Sequence, residues 1–367
     1  MNSLQKLVVV GGLVAGAVVV VGISRGRTVA PASSTLTVAA ANALYAGPVD
    51  FRCTGVNDQV VLQQAIDALP PSGGRINLTD GTFHLSGTIQ ANTKPVSIVG
   101  QGMDATILLR GNSVNANMLE VGVAGVSSDV PGFYASQFTL DGNKAGGASG
   151  HGLVLSRAPN ALIEQVAVQN TLGRGITGSG FGYVKVTLRG VVVVGANDWG
   201  VSLDNELDLL VEGGLYEDNL RGGIRAPRRG AYSAAIVQDA VFRRNGVGVE
   251  FNNLDTGIAR RLYVGDSNGV GIHGLNSDSF TAEDNLVEGG ARTVSTNGID
   301  NGGATVVRIR RNTVRNILHG DPAHEQRGIL VHHTQDCIIE DNISEYNGHQ
   351  GIVVASSSNV LVQGNTC

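Results

Sequence analysis

The 367-residue sequence is poor in cysteine, in aromatic residues and in excess charge of one sign, and these shortages exclude several classes of protein. Cys53, Cys337 and Cys367 are odd in number and far apart, so they predict neither a disulfide framework nor a zinc site. Lys and Arg total 26 against 31 Asp and Glu, a net charge of −5. That balance excludes the broadly basic surface typical of nucleic-acid binding, and we expect no nucleic-acid partner.

Glycine, by contrast, is abundant, at 52 of 367 residues, or about twice its average usage. The glycines show no three-residue period, which excludes a collagen helix. Aromatic residues make up only 4% of the chain. Many glycines together with many valines, isoleucines, asparagines and aspartates favour short strands joined by tight turns.

A glycine followed by an aliphatic residue recurs along most of the chain, in steps of 23, 25, 23, 25, 23, 27, 30 and 23 residues. The copies are Gly152-Leu153, Gly175-Ile176, Gly200-Val201, Gly223-Ile224, Gly248-Val249, Gly271-Ile272, Gly298-Ile299, Gly328-Ile329 and Gly351-Ile352. Such self-similarity predicts a repeat architecture. Each period holds two or three short apolar-alternating runs, which fits one coil of a parallel β-helix. Asparagines that recur just before the glycine, such as Asn219 and Asn245, are predicted to serve the turns and to bond along the stack.

Residues 1–47 are predicted to lie outside the repeat domain. Residues 7–23 are apolar or glycine and are flanked by Lys6 and Arg25, which is typical of a signal peptide or membrane anchor within residues 1–23. We therefore expect export to the periplasm, the cell surface or the medium, with membrane contact only through this segment. Residues 24–47 have the composition of a linker. Residues 48–367 are assigned to the β-helix.

The β-helix is predicted to open with a helix over residues 59–69 that covers the first coil, because a solenoid needs a polar cap over its apolar end. Asn57 or Asp58 is expected to cap this helix, and Val61 or Leu62, Ala65, Ile66 and Leu69 form its apolar stripe. Strands are predicted at 75–78, 82–85, 88–90, 96–99 and 106–109. About a dozen coils are expected in all.

Four segments resemble a known superfamily. They are "NDQVVLQQAIDALPPSGGRINLTDGTFHLSGTI", "VSIVGQGMDATIL", "NGVGIHG" and "NGHQGIVVASSSNVLVQGNT". They look like the opening and the repeats of pectate-lyase-like right-handed parallel β-helix proteins, which include polysaccharide lyases, uronan C5-epimerases and phage tailspikes. The resemblance covers about residues 50–367. It implies an all-β fold and an acidic polysaccharide as partner, but one such fold hosts many chemistries.

The repeat also predicts which side chains share one outer face, because side chains alternate across a strand. If the aliphatic residue of each repeat points inward, the next residue points outward. In the middle of the chain that outward position holds Ser202, Arg225, Glu250, His273 and Asp300. Adjacent coils lie about 4.8 Å apart, so Arg225 to Asp300 is expected to span roughly 14 Å. Neighbouring outward positions and turns add Asp204, Arg228, Asn252, Asn276 and His332 as predicted substrate contacts.

Two interpretations of this face remain open. It is either a solvated ladder of paired charges or the floor of a groove for an extended polysaccharide. Uronan lyases and C5-epimerases remove a proton next to a carboxylate, which requires a cation for that carboxylate and a base. Arg225 is the predicted cation and His273 the predicted base. Ca²⁺ is a possible cofactor, with Asp204, Glu250 and Asp300 as its possible ligands.

A second candidate site precedes Gly328. The segment from His319 to Gln326 is similar to the Asp-Pro-His-Glu motif of uronan C5-epimerases, with Ala323 inserted. The resemblance makes Asp321, His324 and Glu325 candidate site residues. Because His324 falls where other coils place a turn asparagine, a structural turn is the alternative. The 30-residue step to Gly328 indicates an enlarged loop.

Other functions also remain open. An inverting glycoside hydrolase would use Glu250 and Asp300, whose coils lie about 9.6 Å apart. A non-catalytic glycan-binding or surface-structural β-helix needs no base, and histidines late in the chain leave metal handling as a third hypothesis. Gly150-His151-Gly152 matches only one fragment of the polygalacturonase pattern.

No cap is apparent after the last coil, so further residues, another chain or a homo-oligomer contact is expected to cover it.

Overall fold

The computed structural model describes residues 34–123, 129–178, 184–204, 207–227, 233–289, 297–318 and 326–367. These residues form 34 strands, one α-helix, α1 (Asp58–Ala68), and a 3-10 turn at Lys144–Gly146. The strands are β1 Ser34–Ala39, β2 Phe51–Arg52, β3 Gly74–Leu78, β4 Gly81–Leu85, β5 Ile89–Ala91, β6 Val96–Val99, β7 Thr106–Arg110, β8 Leu119–Val121, β9 Tyr134–Asp141, β10 Leu153–Leu155, β11 Ala161–Gln169, β12 Ile176–Gly178, β13 Val184–Arg189, β14 Val192–Val194, β15 Trp199–Leu203, β16 Leu207–Glu212, β17 Leu215–Glu217, β18 Gly222–Pro227, β19 Ala234–Gln238, β20 Val241–Arg243, β21 Val247–Asn252, β22 Thr256–Arg260, β23 Tyr263–Gly265, β24 Ile272–Leu275, β25 Ser279–Glu283, β26 Leu286–Glu288, β27 Asn297–Gly302, β28 Val306–Arg310, β29 Thr313–Arg315, β30 Arg327–His332, β31 Asp336–Glu340, β32 Ile343–Glu345, β33 Ile352–Ala355 and β34 Val360–Gln363.

The strands stack into a parallel β-helix. Eleven of them, one per coil, form a sheet that we call the front sheet, in the order β5-β8-β10-β12-β15-β18-β21-β24-β27-β30-β33. The other 23 strands line the two remaining faces and form one continuous sheet, because β11 pairs with both β13 and β14. Eleven stacked strands are separated by ten steps, so the helix has about ten turns rather than the predicted dozen.

The register of the front sheet confirms the repeat. The aliphatic residues that follow the repeat glycines pair with one another, as Ile224 does with Val249 and Val249 with Ile272. All three side chains are completely buried. One coil cannot bury such residues alone, so the stacking of coils creates the core.

The repeat glycines are required because successive coils approach closely at this point. A Cβ atom on Gly175 or Gly271 would lie 2.6 Å from the carbonyl oxygen of the next glycine of the series. The same Cβ on Gly271 would also lie 2.6 Å from a methyl group of Val287 in the core. Neither glycine has a positive φ, so the constraint is lack of space and not backbone conformation.

Buried asparagines bond along the stack at two corners. The Asn245 side-chain oxygen accepts both the backbone N–H and the amide N–H of Asn219, at 3.1 and 3.0 Å. This confirms the structural role predicted for these two residues. A second ladder, which was not predicted, joins Asn285, Asn312, Asn342 and Asn365 in the same way. Each amide satisfies backbone groups that would otherwise be buried without partners.

Charged side chains on another face alternate in sign from coil to coil. Glu283 pairs in register with Arg310, whose Nε donates to the glutamate at 2.9 Å. Arg189 makes the same kind of contact with Glu212, also at 2.9 Å. Opposite charges placed directly across neighbouring strands favour this register over a slipped one.

The helix covers the first coil as predicted, but it is not capped as predicted. Leu62, Ala65 and Ile66 are buried on its inner face. Asn57 adopts a left-handed conformation with φ 56° and makes no side-chain cap. The buried Asp58 carboxylate instead accepts the backbone N–H of Gly55 at 2.9 Å and that of His84 at 2.8 Å. Asp58 therefore joins the turn before the helix to β4.

The predicted boundary at residue 48 is too late. Residues 34–39 form β1, which pairs in parallel with β3, and Val38 and Ala39 are completely buried. The predicted linker therefore contains a strand of the first coil. Its alanine- and threonine-rich sequence resembles a linker because the strand is short and only Val38 and Ala39 of its six residues are buried. The apolar segment 7–23 lies outside the described residues, and none of the described helices is long and apolar enough to cross a membrane.

The last coil leaves apolar side chains half exposed at its open edge. Val360, Leu361 and Val362 of β34 are 39%, 45% and 49% exposed. Among the described residues no further strand stacks on the outer edge of β33 or β34. A further element that covers this edge stays a prediction.

The glycine contacts lead to a test of the fold. We expect Gly271→Ala to lower the free energy of unfolding by about 1–3 kcal/mol or to prevent folding, because its methyl group meets backbone that cannot move away. Gly87→Ala is the matched control, since its Cβ would meet nothing closer than 3.5 Å. Urea unfolding of both variants checks this. Equal stabilities would show that the coils have room for a side chain.

Candidate functional site

The structure places the predicted outward residues on one line across the front sheet. Ser202 pairs with Arg225, Arg225 with Glu250, Glu250 with His273, and His273 with Asp300. We call these five residues the polar ladder. Their common face follows from the alternation of side chains along strands whose aliphatic neighbours point inward.

The centre of the polar ladder is a contact among three side chains. Arg225 Nε donates to Glu250 Oε1 at 2.9 Å, and the guanidinium lies 6.0 Å from the centre of the Trp199 ring. Glu250 Oε2 lies 3.9 Å from His273 Nδ1. The side chains of Arg225, Glu250 and His273 are 29%, 13% and 20% exposed. They are therefore partly desolvated but still accessible to a ligand.

Asp300 continues the polar ladder on the other side of His273. Its Oδ2 accepts a hydrogen bond from Asn297 Nδ2 at 2.7 Å, and its Oδ1 lies 3.5 Å from His332 Nε2. His332 Nδ1 lies 2.9 Å from His333 Nδ1, so one of these nitrogens donates to the other. Asn297 thus fixes one oxygen of the Asp300 carboxylate by a hydrogen bond, and His332 lies near the other oxygen without a hydrogen bond to it.

The other predicted substrate contacts differ in how deeply their side chains are buried. Ser202 is completely buried and donates to Asp204 Oδ1 at 3.0 Å, so it supports Asp204 from below. Asn252 lies on the outer face of β21, where its Oδ1 accepts from Asn253 at 2.8 Å. Asn276 is an exposed turn residue with φ 46°. Its backbone N–H donates to Gly302.

Four predicted site residues lie outside the described residues. They are Arg228 of the first site and Asp321, His324 and Glu325 of the second candidate site. Their proposed roles stay predictions.

The described residues do not gather the three carboxylates predicted as Ca²⁺ ligands. Asp204 directly follows β15, and Glu250 and Asp300 stand on β21 and β27, so each is separated from the next by an intervening strand of the front sheet. Glu250 contacts Arg225, and Asp300 contacts Asn297. No group of three or more His, Cys, Asp or Glu side chains suited to a metal ion occurs in the part of the chain that the structure describes.

A cleft of about 630 Å³ lies on the same face, over the coils that precede the polar ladder. We call it the N-terminal cleft. Its lining includes Gln90, Asn92, Asn117, Glu120, Val123, His151, Val154, Arg174, Thr177, Asp198 and Asp204. Of these, only Asp204 was predicted as a site residue. Gln90 and Glu120 occupy the same outward line as the polar ladder, because Gln90 pairs with Glu120 and Glu120 with Val154.

Arg174 is the central charge of this cleft. Its Nε lies 3.2 Å from Asp198 Oδ2, and its NH1 lies 2.8 Å from Asp204 Oδ2. NH1 also donates to Thr177 Oγ1 at 3.2 Å. Burial by itself would lower the pKa of Arg174, but the hydrogen bonds with Asp204 and Asp198 raise it. The guanidinium is thus a fixed, permanently charged bridge between two carboxylates.

His151 is held as a neutral hydrogen-bond donor. Its Nδ1 accepts the backbone N–H of Arg174 at 2.9 Å, so a neutral ring carries its proton on Nε2. Burial and the neighbouring Arg174 cation lower the pKa of His151 below its ordinary value. Its own backbone N–H donates to Asn117 Oδ1 at 2.9 Å, and Asn117 Nδ2 donates to Glu120 Oε1 at 2.6 Å. A chain of hydrogen bonds therefore orients the cleft residues from coil to coil.

The cleft was missed because the glycine repeat begins only at Gly152. The front strands β5 and β8 precede that position, so Gln90 and Glu120 carry no repeat signal. Arg174 and Asp198 precede the repeat glycine of their coils, where only turn residues were expected. The Gly150-His151-Gly152 fragment was the one available signal for His151.

The comparisons with known proteins agree with the fold. A family model described as "Right handed beta helix region" matches residues 199–367. The A-module of mannuronan C-5 epimerase AlgE6 from Azotobacter vinelandii is 16% identical, with 85% of this chain and 96% of that chain covered and a TM-score of 0.54. The AlgE4 A-module of the same organism is 15% identical, with the same coverages and a TM-score of 0.53.

A family 28 exopolygalacturonase from Yersinia enterocolitica is also similar in structure. It is 12% identical, with 85% of this chain and 76% of that chain covered and a TM-score of 0.52. No curated protein matches the chain. These similarities show the fold, and they confirm the predicted right-handed parallel β-helix.

The lowered pKa of His151 leads to a pH prediction. Since the folded protein takes up this proton less readily than the unfolded chain, stability is full above about pH 6.5 and falls as the pH drops below that value. We expect His151→Asn to reduce this loss, because Asn keeps an acceptor for the Arg174 N–H but does not titrate. Urea unfolding at several pH values measures how the free energy of unfolding depends on pH in the wild type and in the variant. An NMR titration that gives His151 an ordinary or raised pKa would contradict the assignment.

Proposed function

We propose that this protein is a carbohydrate-active β-helix that binds an acidic polysaccharide along the front sheet. The proposed reaction removes the C5 proton of a uronic acid residue, and it ends in β-elimination or in C5 epimerisation. The contact of Arg225, Glu250 and His273 carries this proposal. It combines a cation, a potential base and a carboxylate that orients the base, on a face with room for an extended chain.

His273 is the proposed base. The Glu250 carboxylate faces His273 Nδ1 at 3.9 Å, longer than a hydrogen bond, and such contacts often tighten when substrate binds. With its proton held on Nδ1 towards Glu250, the ring presents the Nε2 lone pair to the substrate. Nε2 forms a bond to the C5 proton, and the electrons of the broken C5–H bond pass to the uronate carboxylate, whose added negative charge must then be stabilised.

Arg225 is the proposed partner of that carboxylate. A guanidinium has five N–H donors in a planar fork, so one group can serve Glu250 and a substrate carboxylate together. In elimination the electrons then expel the oxygen at C4, and in epimerisation C5 takes a proton from the opposite face. Asp300 stands beside His273 on the same face of the sheet, on the far side from Glu250, and is proposed to pass a proton to the oxygen that leaves C4 in elimination.

The similar structures support the class of substrate. Two of them are mannuronan epimerase modules and a third is an exopolygalacturonase by name, and all three share the fold over 85% of this chain. We propose that Asp204, Asn252, Asn276 and His332 contact the glycan and that Ser202 acts through Asp204. Arg228 and the group Asp321, His324 and Glu325 are proposed to add contacts from the turns.

A non-catalytic glycan-binding protein is the second candidate. Arg225 is already paired with Glu250, and Asp300 with Asn297, as in a ladder that serves only structure. An inverting hydrolase is less well supported, because His273 stands between Glu250 and Asp300 in the space that an attacking water would need.

The reaction is tested with mannuronan, alginate and polygalacturonate in D₂O. We expect exchange of the C5 proton by NMR, with unsaturated products in the ultraviolet if elimination follows. His273→Ala should lower kcat by about 10²–10⁴-fold, as loss of a general base does. Arg225→Ala should also raise KM, because it removes the partner of the substrate carboxylate.

Two variants control for nonspecific effects of these changes. His349→Ala and Arg308→Ala remove the same residue types at exposed positions outside the front sheet, and both should keep wild-type rates. Wild-type rates in His273→Ala and Arg225→Ala as well would refute the assigned roles. Binding without exchange in the wild type would support the second candidate.

A further inference from the structure

The N-terminal cleft differs from the polar ladder in its electrostatics. Its charged lining consists of the carboxylates of Glu120, Asp198 and Asp204 and one guanidinium, that of Arg174. Arg174 is already bonded to Asp198 and Asp204, and Asp198 has a second, longer contact of 3.5 Å with Arg221. A uronate placed here would face more negative than positive charge. An acidic sugar therefore does not fit this cleft.

The cleft also disfavours an amino sugar. Asp198 and Asp204 bond to arginine, whereas the Glu120 carboxylate accepts a hydrogen bond from the Asn117 amide. The buried Arg110 guanidinium contacts the carbonyl oxygens of Ser149 and His151 beneath the same wall, at 2.7 and 2.6 Å. Its positive charge offsets part of the negative charge of the lining. With Arg221 counted as well, three guanidinium groups balance the three carboxylates, which favours a ligand without net charge.

The uncharged features of the cleft suit hydroxyl groups. Glu120 is an acceptor oriented by Asn117, and His151 Nε2–H is a donor oriented by the Arg174 backbone. Gln90 and Thr177 add polar groups that both donate and accept. Val123 and Val154 add an apolar patch, which suits the C–H face of a pyranose ring. The volume of about 630 Å³ lies within the usual range for small-ligand sites.

From these observations we infer that the N-terminal cleft is a separate binding site for a neutral sugar residue. Glu120 accepts from its hydroxyl groups, and His151 donates to one of its oxygens. The Asp198–Arg174–Asp204 bridge forms the polar wall. Glu120 in this cleft lies apart from the contact of Arg225, Glu250 and His273, since β8 and β18 are four front-sheet steps apart, or roughly 19 Å. Asp204, at the other end of the cleft, is shared with the proposed polysaccharide contacts. The inference concerns binding and does not depend on proton abstraction by His273.

Calorimetric titration of the whole protein tests this site. The probes are hexasaccharides of glucose, mannose, galactose and xylose, compared with oligomannuronate, oligogalacturonate and chitosan oligomers. We expect at least one neutral series to bind, with an affinity that changes little with salt because no net charge is matched. Failure of every neutral series, or tighter binding of a charged oligomer that depends on Glu120, would overturn the inference.

Two conservative variants localise the site. Glu120→Gln should weaken neutral-sugar binding roughly tenfold or more, as expected for loss of a charged hydrogen-bond acceptor. His151→Asn keeps the acceptor for the Arg174 N–H but removes the Nε2 donor, and it should weaken binding several-fold. Circular dichroism verifies that both variants fold. Unchanged affinity in both would also overturn the inference.

Other variants separate this inference from the proposed reaction. Glu345→Gln, on β32 and outside the front sheet, is the matched control and should bind as the wild type does. His273→Ala should keep full affinity for the neutral sugar. A protein that exchanges C5 protons but binds no neutral oligosaccharide would overturn the cleft assignment alone. A protein that binds a neutral oligosaccharide but exchanges no C5 protons would support the cleft assignment and refute the proposed reaction.

Discussion

The close approach of the repeat glycines is the constraint on which the rest of this structure depends. Each glycine packs against the carbonyl oxygen of the glycine one coil further on, in space that a single methyl group would fill. That contact fixes the height of each coil at one point. The next residue must then point into the core, and the one after it must point outward. The polar ladder is therefore a consequence of the glycine contact, because the same register that buries Ile272 exposes His273 beside Glu250.

The other faces hold the coils in this register by electrostatics and by buried amides. Pairs such as Glu283 and Arg310 are partly exposed, and a single surface pair contributes little to stability. These pairs act instead through the alternation of sign from coil to coil, since a shift of the pairing by one coil would place like charges opposite each other. The asparagine ladder from Asn285 to Asn365 acts in the same direction within the core. Alignment of groups on the front sheet thus rests on contacts made far from it.

Period and alternation were enough to predict the front sheet from Gly152 onward, including the pairing of Glu250 with His273. They were not enough for the first coils, whose strands lack the repeat glycine, so Glu120 and β1 were missed. Contacts such as Arg174 to Asp204 join residues 30 positions apart. These depend on how far each side chain leans along its strand, which a periodic pattern does not encode. The hydrogen bonds of Asp58 were not predicted for a similar reason, because its partners Gly55 and His84 belong to different parts of the fold.

The pairing of Arg225 with Glu250 does not by itself decide between a structural ladder and a catalytic one. Both side chains are partly exposed, and a pair of this kind is worth on the order of 1 kcal/mol or less. A substrate carboxylate that accepts two parallel N–H bonds from the guanidinium can offset that loss. The deciding group is instead His273. A structural ladder of alternating charge is served equally well by lysine or arginine between Glu250 and Asp300, whereas the proposed proton removal needs a nitrogen lone pair, which a neutral imidazole carries and an ammonium or guanidinium group does not.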